Sequence, residues 1–307
     1  MTSAVCQEVV TCTLCDQAWL YCAVGCSVRV YSVSTLQVET SIQLSCSVWN
    51  LAVSQQVLVV NEGERIKIFT KTDWKMVHQV DIGDNISAPC TNIVTTGGNI
   101  IFYCRDNSFS VITKDNDIWT TKPLLPPSTF SVDCMDADTV SLAMANSDAI
   151  KVVKIEDADS MFSLPESGSE EVLTNLVLAN PYVLSGQSSR VQVWHLESRL
   201  VIRSLDLEVG RSAYDPFCHD VVSNGRLVAV LSGQGVGLYD LAELGDPEVT
   251  SHKLWKRHLE VDLDAVGEGV EYFRGNTEIL LNKTCIIARV TTHCDTLRVF
   301  NFWPAPS

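Results

Sequence analysis

The sequence predicts an all-β protein built from one repeated unit of short strands. A small or polar turn, followed by a strand of alternating apolar and polar residues, recurs seven times along the 307 residues. Hydrophobic residues make up 46% of the chain and charged residues 19%, which is sufficient for a large core, and the apolar runs are rich in Val and Ile. The seven copies are residues 27–31, 65–69, 108–112, 149–153, 190–194, 235–239 and 296–300.

The spacing of the copies predicts the architecture. Their last residues are 38, 43, 41, 41, 45 and 61 positions apart, and five of these intervals are close to the ~40–45 residues of one propeller blade. Each copy follows another short apolar strand. A unit of two middle strands and two flanking strands cannot bury both faces alone, so successive sheets must stack. We therefore predict a single seven-bladed β-propeller of four-stranded blades over residues 1–307. A parallel α/β fold would need longer helical connections.

The two ends of the repeat series need separate explanations. Residues 244–275 contain four glycines and Pro247 and show no clear strand pattern, which predicts an enlarged connection between the sixth and seventh blades. The chain ends soon after the seventh copy, so the outermost strand of the last blade must come from elsewhere. We expect residues 3–9 to supply it, so that N- and C-terminal strands pair and close the propeller.

One stretch identifies a family resemblance. Residues 182–197 contain the pair Ser185-Gly186, a turn and an apolar strand that ends in Trp194, and they resemble the second half of a WD repeat. Residues 24–33 and 232–241 resemble the same element, with Tyr-Ser and Tyr-Asp where the Trp-Asp pair would be. The family's Gly-His dipeptide is absent from every repeat. The resemblance is therefore to a divergent WD-repeat-like β-propeller family, and it implies blades held by apolar and cysteine packing more than by a polar network.

Charge and targeting features limit the kinds of partner. The chain has 22 Lys and Arg against 37 Asp and Glu, a net charge of −15, which repels phosphate backbones and anionic lipids. We expect neither a nucleic-acid nor a membrane partner, and we interpret the basic stretch 252–258 as a solvated strand edge. The first residues do not resemble a signal peptide. We therefore expect a cytoplasmic or nuclear protein with reduced cysteines.

Two constellations could carry chemistry. Cys12-x-x-Cys15 and Cys22-x-x-x-Cys26 offer closely spaced thiolates of the kind that zinc prefers, but both pairs fall in or beside strands, and we interpret them as core. Cys218-His219-Asp220 supplies a nucleophile, a base and an acid consecutively, yet adjacent strand residues point to opposite faces. We expect no catalytic activity, metal or cofactor. The remaining cysteines, which we also interpret as core, are Cys6, Cys46, Cys90, Cys104, Cys134, Cys218, Cys285 and Cys294.

An alternative enzymatic reading stays open. Some propellers hold calcium in a central channel, where carboxylates converge from several blades. A hydrolase or lactonase of this kind could use Asp133, Asp136 and Asp220, although their spacing is also that of solvated turn acids. A vesicle-coat or ciliary scaffold would instead predict a helical solenoid after the propeller.

The leading hypothesis is a non-enzymatic scaffold that presents one propeller face to a protein or peptide partner. The resemblance implies a binding rim formed by the loops that lead into each blade and the turns between its middle strands. One version of this role is substrate recognition in a ubiquitin ligase, with an F-box upstream of this chain. The predicted aromatic or imidazole contacts are Trp49, Phe130, Phe217 and His219; the predicted polar contacts are Arg105 and Arg190, with Glu62, Glu64, Asp106 and Asp148 around them.

Overall fold

The protein is described by a computed structural model. The structure describes residues 2–6, 10–82, 90–104, 106–125, 130–147, 149–165, 173–187, 189–207, 218–232, 235–246, 248, 255–257, 277–281, 285–291 and 295–301. Within these ranges no helix is long and apolar enough to cross a membrane.

Short strands dominate the described chain, as the alternating pattern predicts. In chain order they are β1 (Thr2–Cys6), β2 (Val10–Cys15), β3 (Trp19–Val24), β4 (Ser27–Ser32), β5 (Val38–Gln43), β6 (Asn50–Val53), β7 (Val57–Asn61), β8 (Arg65–Thr70), β9 (Met76–Asp81), β10 (Cys90–Thr96), β11 (Asn99–Cys104), β12 (Phe109–Asp115), β13 (Ile118–Leu125) and β14 (Cys134–Ala137). There follow β15 (Ser141–Ala145), β16 (Ile150–Lys154), β17 (Asp157–Ser163), β18 (Leu173–Ala179), β19 (Tyr182–Gln187), β20 (Arg190–His195), β21 (Leu200–Asp206), β22 (Cys218–Ser223), β23 (Leu227–Ser232), β24 (Gly235–Asp240), α1 (Leu241–Gly245), β25 (Trp255–Arg257), β26 (Thr277–Leu281), β27 (Cys285–Thr291) and β28 (Asp295–Asn301).

The chain divides into two compact units. The N-terminal unit is Val9–Leu164, and the C-terminal unit combines Met1–Glu8 with Pro165–Ser307. In the N-terminal unit the described strands form four antiparallel four-stranded sheets in simple up-and-down order, namely β2–β5, β6–β9, β10–β13 and β14–β17. The first strands of successive sheets lie against each other, which stacks the sheets face to face.

Apolar side chains fill the space between stacked sheets. Ile66 and Ile68 of β8 are fully buried against Ile100 and Phe102 of β11, which belong to the next sheet. Strand alternation explains this arrangement, because every second residue of a middle strand faces the same neighbouring sheet. The outermost strands β9 and β13 carry more exposed residues and fewer core contacts.

In the C-terminal unit the described strands form three more four-stranded sheets. Two are simple meanders, β18–β21 and β22–β25, and the third has the order β26-β27-β28-β1. The terminal strands pair antiparallel, with Thr2 opposite Val299 and Cys6 opposite Asp295. The first strand therefore covers Thr2–Cys6 where the sequence predicted residues 3–9, and positions 7–9 lie outside the described residues.

A buried polar contact links the middle strands β19 and β20, where the sequence predicted mainly apolar packing. Trp194 Nε1 donates a hydrogen bond to Ser185 Oγ at 3.1 Å. Nearby, Gln187 Nε2 donates to Gln192 Oε1 at 3.1 Å, and both glutamines are buried. This sheet therefore keeps part of a polar network, because the signature tryptophan retains its hydroxyl acceptor.

The short helix α1 follows β24 directly and was not predicted. Asp240 caps it, since its Oδ1 accepts a hydrogen bond from Ala242 N at 2.9 Å, and Leu241 and Leu244 are buried. Five residues are too few to show a helical period in the sequence. Most of the predicted enlarged connection, residues 244–275, lies outside the described residues, as do the side chains of the basic stretch around β25.

Candidate partner-binding surface

Turns and linkers connect the strands of the N-terminal unit at the two opposite ends of each sheet, and we call these two ends edges. In an up-and-down sheet, the turn between the second and third strands lies at the same end as the linker from the preceding sheet. Hydrogen bonds join these parts: Val48 N donates to Gly25 O at 3.2 Å, and Asn61 Nδ2 donates to Cys90 O at 3.2 Å. We call this the linker edge. Its described residues are 25–26, 44–49, 62–64, 106–108, 130–133 and 146–147; the opposite edge comprises residues 16–18, 33–38, 54–56, 71–77, 97–98, 116–118, 138–140 and 155–156.

Trp49 is the most prominent side chain of the linker edge. It is 51% exposed, and its backbone N–H donates to Asn61 O at 2.8 Å. The indole lies against Gly63, where an added Cβ would come within 3.2 Å of the Trp49 Cε2 atom. Gly63 has φ +86°, a conformation that residues with a side chain rarely adopt. Glycine therefore serves both the turn and the close approach of the ring.

A buried ion pair lies under the linker that carries Trp49. Glu62 Oε1 is 3.0 Å from Lys67 Nζ, and only 1% of the Glu62 side chain is exposed. Lys67 Nζ also donates to Ser45 Oγ at 2.8 Å, and Ser45 N donates to Glu62 Oε1 at 3.2 Å. The pair fixes the start of the linker. The prediction that Glu62 belongs to an exposed polar rim is therefore wrong, because the linker folds over its carboxylate.

Phe130 is more enclosed than Trp49. It is half-buried against the core formed by Leu142, Val153 and their neighbours. Lys151 Nζ lies 4.1 Å from the centre of its ring, within the range of a cation–π interaction. Phe130 therefore contributes to packing at the linker edge as well as to its surface.

The other predicted contacts cannot be joined to this surface from the described residues. Arg105, Asp148 and Phe217 lie outside them, and the same holds for the side chain of His219, whose backbone belongs to β22. Arg190 is half-buried at the start of β20 in the C-terminal unit. Of the six predicted contact residues, the structure brings Trp49 and Phe130 to one edge of one unit.

Tyr103 marks the point where the linker edge passes from the third sheet to the fourth. Its Oη accepts a hydrogen bond from Val132 N at 3.1 Å and donates one to Asn107 Oδ1. Burial raises the pKa of Tyr103, and the carboxylates of Asp106 and Asp133 raise it further. These two acids therefore act on the same stretch of the linker edge.

Asp220, a member of both predicted catalytic or metal-binding sets, has a structural position in the C-terminal unit. Its Oδ1 accepts a hydrogen bond from Asn175 Nδ2 of β18, and its Oδ2 accepts one from Ile279 N of β26 at 3.0 Å. One carboxylate thus joins three sheets. The side chains of Cys218 and His219, its neighbours in the predicted triad, lie outside the described residues.

The other predicted metal ligands are dispersed. Asp133 is exposed on the linker edge, and Asp136 Oδ1 accepts a hydrogen bond from Ala137 N at 2.9 Å. Cys22 is buried in β3 whereas Cys26 is exposed in the following turn. In the parts of the chain that the structure describes, no three His, Cys, Asp or Glu side chains lie close enough together to hold a metal ion.

The core assignment holds for some of the scattered cysteines. Cys90, Cys104 and Cys285 are buried, which confirms it, but Cys46 is exposed because its linker crosses the sheet edge, so for Cys46 the prediction is wrong. Cys134 is half-buried, and burial, with smaller effects of Asp133 and Asp136, raises the pKa of its thiol to about 12. The side chains of Cys6, Cys218 and Cys294 lie outside the described residues.

A set of exposed apolar residues, not predicted from the sequence, lies on the opposite edge of the N-terminal unit. These side chains are 44–65% exposed, and they stand mostly at the first positions of outermost strands. In the sequence, an apolar residue after a polar turn has the same pattern whether it is buried in the core or exposed. The sequence alone therefore did not distinguish these exposed residues from core residues. The residues are Val38, Met76, Val77, Ile118 and Val140.

Comparisons with known proteins identify the fold. No protein-family model and no curated protein sequence matches the chain. Among solved structures, a chain in the crystal structure of the mitotic checkpoint complex is similar with a TM-score of 0.69 and 8% identity, over 99% of this chain and 95% of that one. Kluyveromyces lactis Hsv2 is similar with a TM-score of 0.55 and 11% identity, over 73% of this chain and 78% of Hsv2.

A third similar structure is the computationally designed Ika8 protein, with a TM-score of 0.62 and 12% identity over 97% of this chain and 98% of that one. At such identities the likeness concerns the fold. Together with the four-stranded antiparallel sheets and the recurring third strand, it confirms the resemblance noted from the sequence. The chain has the fold of a divergent WD-repeat-like β-propeller with four-stranded blades.

Proposed function

We propose that this protein is a non-enzymatic scaffold that binds a protein or peptide partner at the linker edge, without a cofactor. The observation that carries the proposal is Trp49, a large aromatic side chain that is half exposed and yet held in place by Gly63. Tryptophan is enriched among the residues that dominate the energy of protein interfaces. A side chain that is already ordered loses little conformational entropy when a partner covers it.

The size of the expected contribution follows from the exposed area. Half of a tryptophan surface is roughly 100 to 125 Å². Covering that area at ~25 cal/mol per Å² would stabilise a complex by about 3 kcal/mol. Trp49 is 51% exposed, so it can supply an anchor of this size without rearrangement of the linker.

Proximity labelling of the full chain in cells tests the proposal. The matched variants are Trp49→Ala and Met76→Ala, because Met76 is 52% exposed but lies on the opposite edge. Trp49→Ala also loses the packing of the buried half of the indole, so the unfolding midpoints are measured first and labelling is compared at a temperature at which both variants are fully folded. Partners lost with Trp49→Ala and kept with Met76→Ala would support the linker edge; an unchanged partner set in both would contradict it.

Related experiments test the other predicted contacts, the role in a ubiquitin ligase and the location in the cell. The other predicted contacts, Phe217, His219, Arg105 and Arg190, are tested separately by alanine variants of each. Ligase subunits among the labelled proteins would support substrate recognition in a ubiquitin ligase. We place the protein in the cytoplasm or nucleus, which fluorescence imaging of the tagged chain checks.

We also infer that residues 1–307 form one domain, a single propeller of seven blades. The support is the sevenfold repeat, whose copies coincide with third strands of four-stranded sheets, and the pairing of β1 with β28. A single domain unfolds cooperatively. Hydrogen exchange in urea should therefore give one shared midpoint for residues of both units, and two separate midpoints would contradict the inference.

A further inference from the structure

Acidic side chains predominate on the linker edge over the residues that the structure describes. Its charged residues, within the described ranges, are Glu62, Glu64, Asp106 and Asp133. Two basic residues flank these ranges: Arg65 pairs with Asp81, and Lys151 lies over the ring of Phe130. Glu62 is buried and paired with Lys67, whereas the other three are exposed. No described Lys, Arg or His forms an ion pair with these three carboxylates.

On the opposite edge of the same unit, three of the five acids pair with lysines, whereas the half-buried Asp138 and the exposed Glu156 do not. Asp16 pairs with Lys71, Asp73 pairs with Lys75 at 2.9 Å, and Asp117 pairs with Lys114 at 2.7 Å. Both edges belong to the same four sheets and share the same strands. Over the described residues, the linker edge therefore has three exposed acids without an ion pair and the opposite edge has one, and the linker edge also carries the exposed tryptophan.

A series of backbone and side-chain contacts connects Trp49 with the turns that carry the three exposed carboxylates. The indole rests on Gly63, which is next to Glu64 in the same turn. Gly63 O accepts a hydrogen bond from Cys90 N at 2.9 Å, and Cys90 is paired with Cys104 of the next strand. Tyr103 Oη then contacts Val132 N, which is next to Asp133, and Asn107 Oδ1, which is next to Asp106. A bound chain that follows the edge from Trp49 would therefore pass all three acids.

We propose that the linker edge of the N-terminal unit binds a cationic peptide segment, one that places Lys or Arg side chains on Trp49 and beside Glu64, Asp106 and Asp133. This inference rests on the proposed function and specifies its partner. The face of an indole attracts ammonium and guanidinium groups, and the methylene stems of Lys and Arg cover apolar surface. Opposite charge at an interface speeds association and selects among partners.

Other partners fit this edge less well. A neutral apolar segment would take three carboxylates out of water without compensation, which is costly. Nucleic acids and anionic lipids carry the same sign of charge as the edge and would be repelled. A cationic segment satisfies the tryptophan and the carboxylates together.

The test uses a phage library of random dodecapeptides, selected on the full-length chain. Enriched peptides should carry net positive charge, and their affinity should fall about ten-fold between about 0.05 and 0.5 M NaCl, because salt screens exposed charges. Trp49→Ala should weaken binding about 30-fold or more. The double variant Asp106→Asn/Asp133→Asn should weaken binding about ten-fold, whereas the matched control Asp73→Asn/Asp117→Asn on the opposite edge should leave it within about two-fold.

The outcomes separate the inference from the proposed function. Cationic peptides that lose affinity in both the Trp49 and the carboxylate variants would support both. Neutral or acidic peptides that still depend on Trp49 would overturn the cationic partner and leave the scaffold role in place. A library that yields no Trp49-dependent peptide would overturn both.

Discussion

Replacing Asp220 by alanine should destabilise the protein by about 3 kcal/mol. The substitution removes the acceptor of two hydrogen bonds, one from the Asn175 amide and one from the Ile279 backbone N–H. A hydrogen bond to a charged group contributes about 1.5 to 3 kcal/mol, and the partial exposure of Asp220 favours the lower value for each. The loss is structural, because the carboxylate joins three sheets.

Urea unfolding followed by tryptophan fluorescence measures this loss. Asp220→Asn keeps an acceptor for Ile279 N–H and should cost about 1 kcal/mol. Glu197→Ala, an exposed carboxylate of the same unit, is the control and should change the free energy of unfolding by less than about 0.5 kcal/mol. In a double-mutant cycle, Asp220→Ala and Asn175→Ala should couple by about 1 kcal/mol. Strict additivity, or an Asp220→Ala variant as stable as the wild type, would refute the reasoning.

Three further predictions concern the N-terminal unit. Gly63→Ala should cost about 1 to 2 kcal/mol from its positive φ and also shift the emission of Trp49, whereas Gly98→Ala, at φ +91° with open space around it, should show the backbone cost alone in thermal unfolding. Lys67→Met should cost about 3 to 5 kcal/mol because it leaves Glu62 charged and buried, and adding Glu62→Gln should recover part of the lost urea midpoint. For Asp16, burial acts to raise the pKa, but the hydrogen bonds from Lys71, Trp19, Ala18 and Tyr21 together lower it below 3.8. Its contribution to stability is therefore full above pH 3.8 and lost as the pH falls through the folded pKa, so unfolding between about pH 6 and pH 3 should be less pH-dependent in Asp16→Asn than in the wild type.

The middle strands were predictable because they are buried between neighbouring sheets. Residues 65–69 and 190–194 alternate apolar and polar residues in sequence and form β8 and β20. In the structure the last four residues of each copy are buried, and these include the polar Lys67 and Gln192. The outermost strands β9 and β13 were not placed individually, because one side of each faces solvent and the apolar pattern fades. Strand β25 was not predicted either, because it lies within the basic stretch 252–258, where no apolar alternation marks a strand.

The candidate surface was predictable in outline only. The turn and linker pattern predicts that Trp49 lies in a linker that leads into a sheet, and the structure has it there, since loop positions follow from strand order. Its support on Gly63 and the pairing of Glu62 with Lys67 depend on how a linker folds over a turn, which no local pattern encodes. The same is true of Asp220, whose partners are 45 and 59 residues away in the chain.

The most direct test of the scaffold role is photo-crosslinking in cells. A benzophenone amino acid in place of Cys46 puts the reactive group on the exposed linker three residues from Trp49 without altering the tryptophan. The same amino acid in place of Lys75 puts it on an exposed site of the opposite edge. We expect a discrete crosslinked partner from position 46 that disappears with Trp49→Ala, and none of the same mass from position 75. Crosslinks from position 75 alone, or crosslinks from position 46 that are indifferent to Trp49, would contradict the account.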